Sequence, residues 1–262
     1  MDIVKTTKKY FLSPNGGNQK NSSYKSDIEF NLNGIITNEK YILYNTISIN
    51  HAEIPNSFYI INVYNNLLSL STGDIYIDRG NYNVSSLTKI INSKLPTNMI
   101  LSFNSTNGKF TLTYNQQFNI NASTTINKIL GLDKTVYMST NNIISFPYPA
   151  NCLGTKNLYI KSNFILDNFN TITKDYLTLA CIPVSVEPYG IILFNNFTNA
   201  SHIVKNIQLD NIEIKIYDDD DNLVNFNNID WSITLELNTF MKQDFNNINL
   251  NNYMSNLNNN SI

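Results

Sequence analysis

A chain that hydrolyses, transfers or reduces needs a nucleophile, an acid–base pair or a metal, and the residues that supply them are scarce here. Histidine occurs only at His51 and His202. His51 precedes Glu53 by two residues, the strand spacing that puts an imidazole and a carboxylate on one face. No nucleophile motif accompanies them, so the pair reads as structural. Gly-X-Ser-X-Gly, the P-loop, Cys-X-X-Cys and His-Glu-X-X-His are all missing from the sequence. Cys152 and Cys181 are too few and too far apart for a zinc site or a redox pair, and they read as small buried hydrophobes.

Carboxylates offer more material. Glycoside hydrolysis needs two acids roughly 5 to 10 Å apart, which makes Glu187, Glu213 and Glu236 the candidates for a β-sandwich hydrolase. Asp218, Asp219, Asp220, Asp221 and Asn222 form an oxygen-rich run. Asp218, Asp220 and Asn222 have the composition of a Ca²⁺ site, yet the run lacks the glycine and the closing glutamate of an EF-hand loop. The simpler reading is a hairpin connection whose charges stay in water. No cofactor is expected.

The elements around the acidic run are better specified than its chemistry. Ile212, Ile214 and Ile216 alternate with Glu213 and Lys215 before it; Trp231, Ile233, Leu235 and Leu237 alternate with Ser232, Thr234 and Glu236 after it. Period-two alternation marks half-buried strands of antiparallel sheets. Trp231, the only tryptophan, falls in the apolar set, which assigns it to the core.

Of 262 residues 42% are hydrophobic, enough for a substantial core, while only 15% are charged, against roughly 25% in ordinary domains. Asn occupies 48 positions and Arg79 is the only arginine, a bias that suits an AT-rich genome. Net charge is −2, which gives no field for nucleic acid. Lys5, Lys8 and Lys9, with Lys20 and Lys25 beyond, read as a solvated basic arm. No apolar run has the length of a membrane span or the place of a signal peptide, so the expected site of synthesis is a cytosol, and the Asn-X-Ser/Thr sequons read as by-products of abundant Asn.

Along the chain, residues 1–26 read as an extended arm in which Tyr10, Phe11 and Leu12 are the candidate partner contacts. Strand patterns at Ile28–Leu32, Tyr41–Asn50 and Phe58–Tyr64 follow. Residues 67–141 read as a small α+β insertion: a strand near Asp74–Asp78, a helix through Leu87, Ile90 and Ile91 stopped by Pro96, a hairpin around Asn107-Gly108, and a short helix ending at Gly131. Strands resume at Leu158, Tyr176–Ile182, Ile191–Phe194 and the pair described above. The expected organisation is a mainly β, antiparallel jelly-roll sandwich over 27–66 and 142–242, with the insertion between them and an Asn-rich tail over 243–262.

Four sets of phrases resemble the penton and minor capsid proteins of virophages, polinton-like viruses and nucleocytoplasmic large DNA viruses. They are Ile54-Pro55-Asn56-Ser57-Phe58-Tyr59-Ile60-Ile61-Asn62; Gly80-Asn81-Tyr82; Leu153-Gly154-Thr155 leading into Leu158-Tyr159-Ile160-Lys161-Ser162; and Ile212 to Asp218 with Asn225-Phe226-Asn227 and Asp230-Trp231-Ser232-Ile233-Thr234-Leu235. The resemblance implies a non-enzymatic component of an icosahedral capsid, a vertex penton or a cement protein. It would be made in the host cytoplasm and carried in the virion, assembling with itself (as a pentamer if a penton) and with the major capsid protein. The alternatives are a carbohydrate-binding or host-attachment module, whose Tyr-rich loops would hold sugar, and the hydrolase above.

Overall fold

A computed structural model describes residues 3–20, 24–35, 42–163, 178–204 and 209–242; the Asn-rich tail 243–262 and the first residues of the strand expected from Tyr176 lie outside these. The strands are β1 (Ile3–Leu12), β2 (Asn18–Gln19), β3 (Asp27–Ile35), β4 (Ile42–Pro55), β5 (Leu67–Leu70), β6 (Gly73–Tyr76), β7 (Ile100–Asn104), β8 (Lys109–Thr113) and β9 (Asn119–Ile120). They continue as β10 (Tyr137–Met138), β11 (Ile143–Ser145), β12 (Asn157–Ser162), β13 (Thr178–Pro183), β14 (Ile191–Asn195), β15 (His202–Val204), β16 (Leu209–Tyr217) and β17 (Ser232–Lys242). Two helices, α1 (Val84–Lys94) and α2 (Asn127–Leu130), interrupt them.

The chain divides into two compact units, one of Met1–Ser57 with Asn157–Ile262 and one of Phe58–Lys156. In the first, sheet A has the order β1-β17-β4-β14, with β15 also on β4, and sheet B the order β13-β12-β16-β3-β2. Because β14 and β15 lie end to end along one edge of β4, they count as one interrupted strand. In chain order, sheet A then holds the first, eighth, third and sixth long strands, and sheet B the fifth, fourth, seventh and second. This is the strand order of a jelly roll. Every pairing is antiparallel.

The alternation read from the sequence explains the interior. Ile28, Phe30, Ile212, Ile214, Ile216, Leu158 and Ile160 of sheet B are buried, as are Ile47, Ile49, Ile54, Ile192, Ile233, Leu235 and Leu237 of sheet A. Trp231, 1% exposed, meets Phe30 edge-on at 6.2 Å between ring centroids. Its indole N–H donates to the Lys25 carbonyl at 2.7 Å, so the largest core side chain keeps its polar atom satisfied.

Four expectations change. Residues 3–12, expected within the arm, form the first long strand of the jelly roll and pair with β17 from Ile3↔Lys242 to Leu12↔Ile233. The segment Phe58–Tyr64 is not a strand, and its β-pairing is limited to an isolated bridge, Ile61↔Gly80. The strands flanking the acidic run are not hairpin partners, because β16 belongs to sheet B and β17 to sheet A; residues 218–231 therefore carry the chain between sheets. Finally, the second unit extends beyond 67–141 at both ends, since Ile60, Ile61, Phe146, Ala150 and Cys152 join its core.

That second unit has its own apolar centre, in which Leu68, Leu87, Ile91, Phe110, Leu112 and Phe146 are buried. Its sheets are β10-β9-β5-β6 and β11-β8-β7. Helix α1 starts at a capping box: the Asn83 side chain accepts from the Ser86 N–H and the Ser86 hydroxyl accepts from the Asn83 N–H. Gly131 ends α2 at φ +81°, where a Cβ would stand 2.2 Å from the Tyr148 carbonyl oxygen. Only glycine fits both conditions.

Candidate functional site

The acidic run folds against the outer face of sheet B. Asp218 turns its carboxylate onto its own loop, where Oδ1 accepts from the Asp220 and Asn222 N–H groups at 2.9 Å each. Burial pushes this carboxyl above the ordinary carboxylate value, against the pull of those same donors. Asp219 accepts from the N–H and the side-chain amide of Asn157. Asp221 holds the Lys161 ammonium at 2.9 Å, and that ammonium also lies 4.4 Å from the Tyr217 ring centroid. The proposed ligand set Asp218, Asp220 and Asn222 thus closes an Asx-type turn, with Asp218 oriented by N–H donors rather than toward a shared centre. Among the described residues no cluster of three or more His, Cys, Asp or Glu is arranged to hold a metal.

The remaining sheet B face carries further ion pairs, although Asp27 Oδ1 is buried without a hydrogen-bond partner. Glu213 meets Lys215 at 3.1 Å, and Lys20 bonds Glu29. At the end of the sandwich near Trp231, Asp230 meets the Lys25 ammonium at 2.6 Å, which holds its carboxyl below the ordinary value. The basic arm of the sequence therefore divides: Lys20 and Lys25 are committed to acids, while Lys5, Lys8 and Lys9 lie on β1.

Sheet A's outer face is looser. Lys9 stands 3.8 Å from Glu236, and Thr7 donates to Asn238 at 2.7 Å. Tyr44 and Phe240 stack with centroids 4.5 Å apart. His51 and Glu53 do share a face: Nε2 lies 3.4 Å from the carboxylate and Nδ1 2.8 Å from Asn195 Oδ1. The bond to Asn195, aided by Glu53 and opposed by partial desolvation, raises the imidazole above its ordinary value. No hydroxyl or thiol completes a triad in these contacts.

The other acids do not converge. Glu213 sits on sheet B and Glu236 on sheet A, each spent on a neighbouring lysine, and Glu187 lies in the turn before β14, where its carbonyl accepts from Gly190. The thiols are in different units; burial raises both Cys152 and Cys181, which keeps them protonated. Cys181 is nevertheless exposed, not buried as its residue type suggests, because it falls on the outer row of β13.

Of the three candidate partner contacts, one faces outward. Leu12 is buried in the jelly roll, Tyr10 is half-buried, and Phe11 is 82% exposed on the outer face. Sequence reading missed the opposite edge. Ile191, Leu193 and Ile203 point outward there, and Phe197 is 87% exposed in the loop between β14 and β15. The run Ile191-Ile192-Leu193-Phe194 is wholly apolar, so alternation could not mark which side faces water. Tyr189, also exposed, leads into this edge at φ +73°, a conformation that side chains other than glycine adopt at a cost.

No protein-family model matches the chain, and no curated protein matches it. Among solved structures the chain is similar to the SeMet-labelled mavirus penton protein, with 12% identity, coverage of 91% of this chain and 100% of that chain, and a TM-score of 0.42. At that score the likeness adds nothing to the topology read from the strands themselves. Among the described residues no helix is long and apolar enough to cross a membrane.

Proposed function

We propose that the chain is a structural component of an icosahedral viral capsid, a vertex penton or a minor capsid protein, working by assembly with itself and with the major capsid protein. A jelly roll hosts many functions, so the strand order alone does not carry this reading. What carries it is where the capsid-like phrases meet. In the first unit the Ser57 hydroxyl donates to the Phe226 carbonyl at 2.7 Å, the Asn227 amide reaches the Ser57 carbonyl, and Asn56 donates to the Val186 carbonyl at 2.8 Å. In the second unit Asn81 Oδ1 accepts from the Ile60 N–H at 2.9 Å, and Gly154, at φ +72°, leaves room for the Ile60 side chain.

Phrases far apart in sequence are therefore the mutual fastenings of each unit. Such residues specify a particular version of the fold, which is what a resemblance to one group of jelly rolls requires. The scarcity of acid–base and metal chemistry in the sequence, the weakly charged composition and the exposed apolar residues at β14 and β15 of sheet A also suit a protein whose work is assembly.

The test is mass spectrometry of purified virions from the host system. The chain should occur there in a fixed ratio to the major capsid protein. Its absence from particles, together with binding of the soluble chain on a glycan array, would replace this reading with the attachment module.

A further inference from the structure

An asparagine followed by glycine can lose its side-chain amide without an enzyme, because glycine leaves its own nitrogen uncrowded and free to turn toward the preceding carboxamide. Asn-Gly occurs at Asn15, Asn33 and Asn107. The surroundings of Asn15 and Asn107 differ. Asn107 sits in the turn of the β7–β8 hairpin, closed by the pairs Phe103↔Phe110 and Asn104↔Lys109. The Gly108 N–H donates to the Asn104 carbonyl at 2.9 Å, the Gly108 carbonyl accepts from the Ala150 N–H at 2.7 Å, and Asn107 Oδ1 accepts from the Lys109 N–H at 3.0 Å. Opening this turn means opening the hairpin.

Asn15 is held by less. It is exposed in the short turn Pro14–Gly16, and the ladder of β1 ends at Leu12 while that of β2 begins at Asn18. The Gly16 N–H donates to the Ser13 carbonyl at 2.9 Å and the Gly17 N–H to the Pro14 carbonyl at 3.3 Å. A Cβ at Gly16 would meet nothing within 4 Å. The Asn15 carboxamide is fixed at one atom, Nδ2, which donates to Asp230 Oδ2 at 2.5 Å; Asp230 Oδ1 accepts from the Lys25 ammonium at 2.6 Å. Segments with few buried contacts and exposed hydrogen bonds are the first to open.

We propose that Asn15 is a site of spontaneous deamidation in the folded chain, and that Asn107 is protected from it. The Gly16 nitrogen gives its proton to water and attacks Asn15 Cγ. The new C–N bond closes a succinimide ring, the Cγ–Nδ2 bond breaks, and the amide leaves as ammonia. Water then opens the ring at either carbonyl, which leaves aspartate or isoaspartate. The place gives the reaction a consequence. A neutral donor to Asp230 becomes a second carboxylate, and both then compete for the Lys25 ammonium. The Lys25 carbonyl in turn accepts the indole N–H of Trp231, so the repulsion falls where residues 13–17 and 218–231 pass between the two sheets. Aged copies become more acidic and less firmly closed at this corner than new ones. The inference goes beyond the capsid reading and does not depend on it.

The test is peptide mapping of the full chain, with isoaspartate detection, during incubation in mildly alkaline buffer. Asn15 should convert on the order of tenfold faster than Asn107 in the folded chain, and the two rates should converge in urea. Gly16→Ala, for which the backbone has open space, should slow conversion of Asn15 by a similar factor without lowering the urea midpoint, because the added methyl group crowds the attacking nitrogen. Asn15→Asp should lower that midpoint, and Asp230→Asn in the same chain should recover part of the loss. Conversion of Asn107 as fast as Asn15, or an intact Asn15 in the folded chain while the unfolded chain reacts, would overturn the assignment. So would a cross-linked peptide joining Lys25 to Asn15, which would make the lysine and not Gly16 the nucleophile. A midpoint indifferent to Asn15→Asp would overturn the structural consequence.

Discussion

On the outer face of sheet B, the Lys161 side chain is 8% exposed, yet it has Asp221 at 2.9 Å and an aromatic ring beneath it. On the outer face of sheet A, the Lys9 side chain is 49% exposed with its acid at 3.8 Å, and Leu193 stands in water opposite Glu53. One face buries a lysine against a carboxylate and a ring; the other keeps its ion pair long and solvated and leaves hydrocarbon in water. The two sheets share one core, so the difference cannot come from interior packing. It separates a face whose buried lysine is paired within the chain from one that leaves hydrocarbon exposed.

The comparison can be broken at its foundation by Trp231→Ala, which removes the side chain both sheets lean on and should cost about 3–5 kcal/mol, read as a fall in the urea midpoint. It can be sharpened by two acid deletions. Asp221→Ala removes the 2.9 Å carboxylate contact of the buried Lys161 ammonium and should cost about 1–3 kcal/mol, discounted because Asp221 itself is half exposed. Glu236→Ala on sheet A should cost less than about 1 kcal/mol. Equal losses in chemical denaturation would erase the distinction between the faces.

Acidity separates the faces by range as well as size. Asp218 has its folded value raised by burial, so the stability it contributes is complete below the unfolded carboxylate value and is lost as pH rises through the raised one. His51 is raised above the ordinary imidazole value by Asn195; its contribution is complete below the unfolded value and lost as pH rises through the folded value, in the near-neutral range. Asp218→Asn should therefore remove the part of a melting-temperature profile that falls as pH rises through the carboxylate range, and His51→Gln the part that falls as pH rises through the near-neutral range. The smallest effect is Leu193→Lys, whose side chain is largely exposed; stability should stay within about 0.5 kcal/mol in chemical denaturation.

How much of this was legible depended on which faces were buried. The alternation through Ile212–Ile216 and Trp231–Leu237 was readable because one side of each strand lies in the core. Asn107-Gly108, Pro96 and Gly131 marked local geometry that needs no tertiary context. β1 was not readable as a strand: with Ile3 to Lys9 exposed on both faces, its apolar pattern has no period, and only its β-branched Ile3, Val4, Thr6 and Thr7 hinted at extension. The acidic run looked like a hairpin because alternation reports a strand's face and not its sheet. Which apolar residues of Ile191–Phe194 remain outside was settled by β4, through the pairing of Ile192 with Ile54.

The register Ile3↔Lys242 also sets an order of events during synthesis. β1 is made before every other described strand, but the strand it pairs with is the last of the described strands to be made, so at roughly 5–20 residues per second β1 waits many seconds unpaired. The contiguous unit Phe58–Lys156, whose hairpin and helix contacts are local, is complete well before that. Sheet A, by contrast, is closed only by contacts of very high sequence separation, the kind that slow folding. During that interval the lysines of β1 keep an unpaired strand with Phe11 near its end charged and solvated.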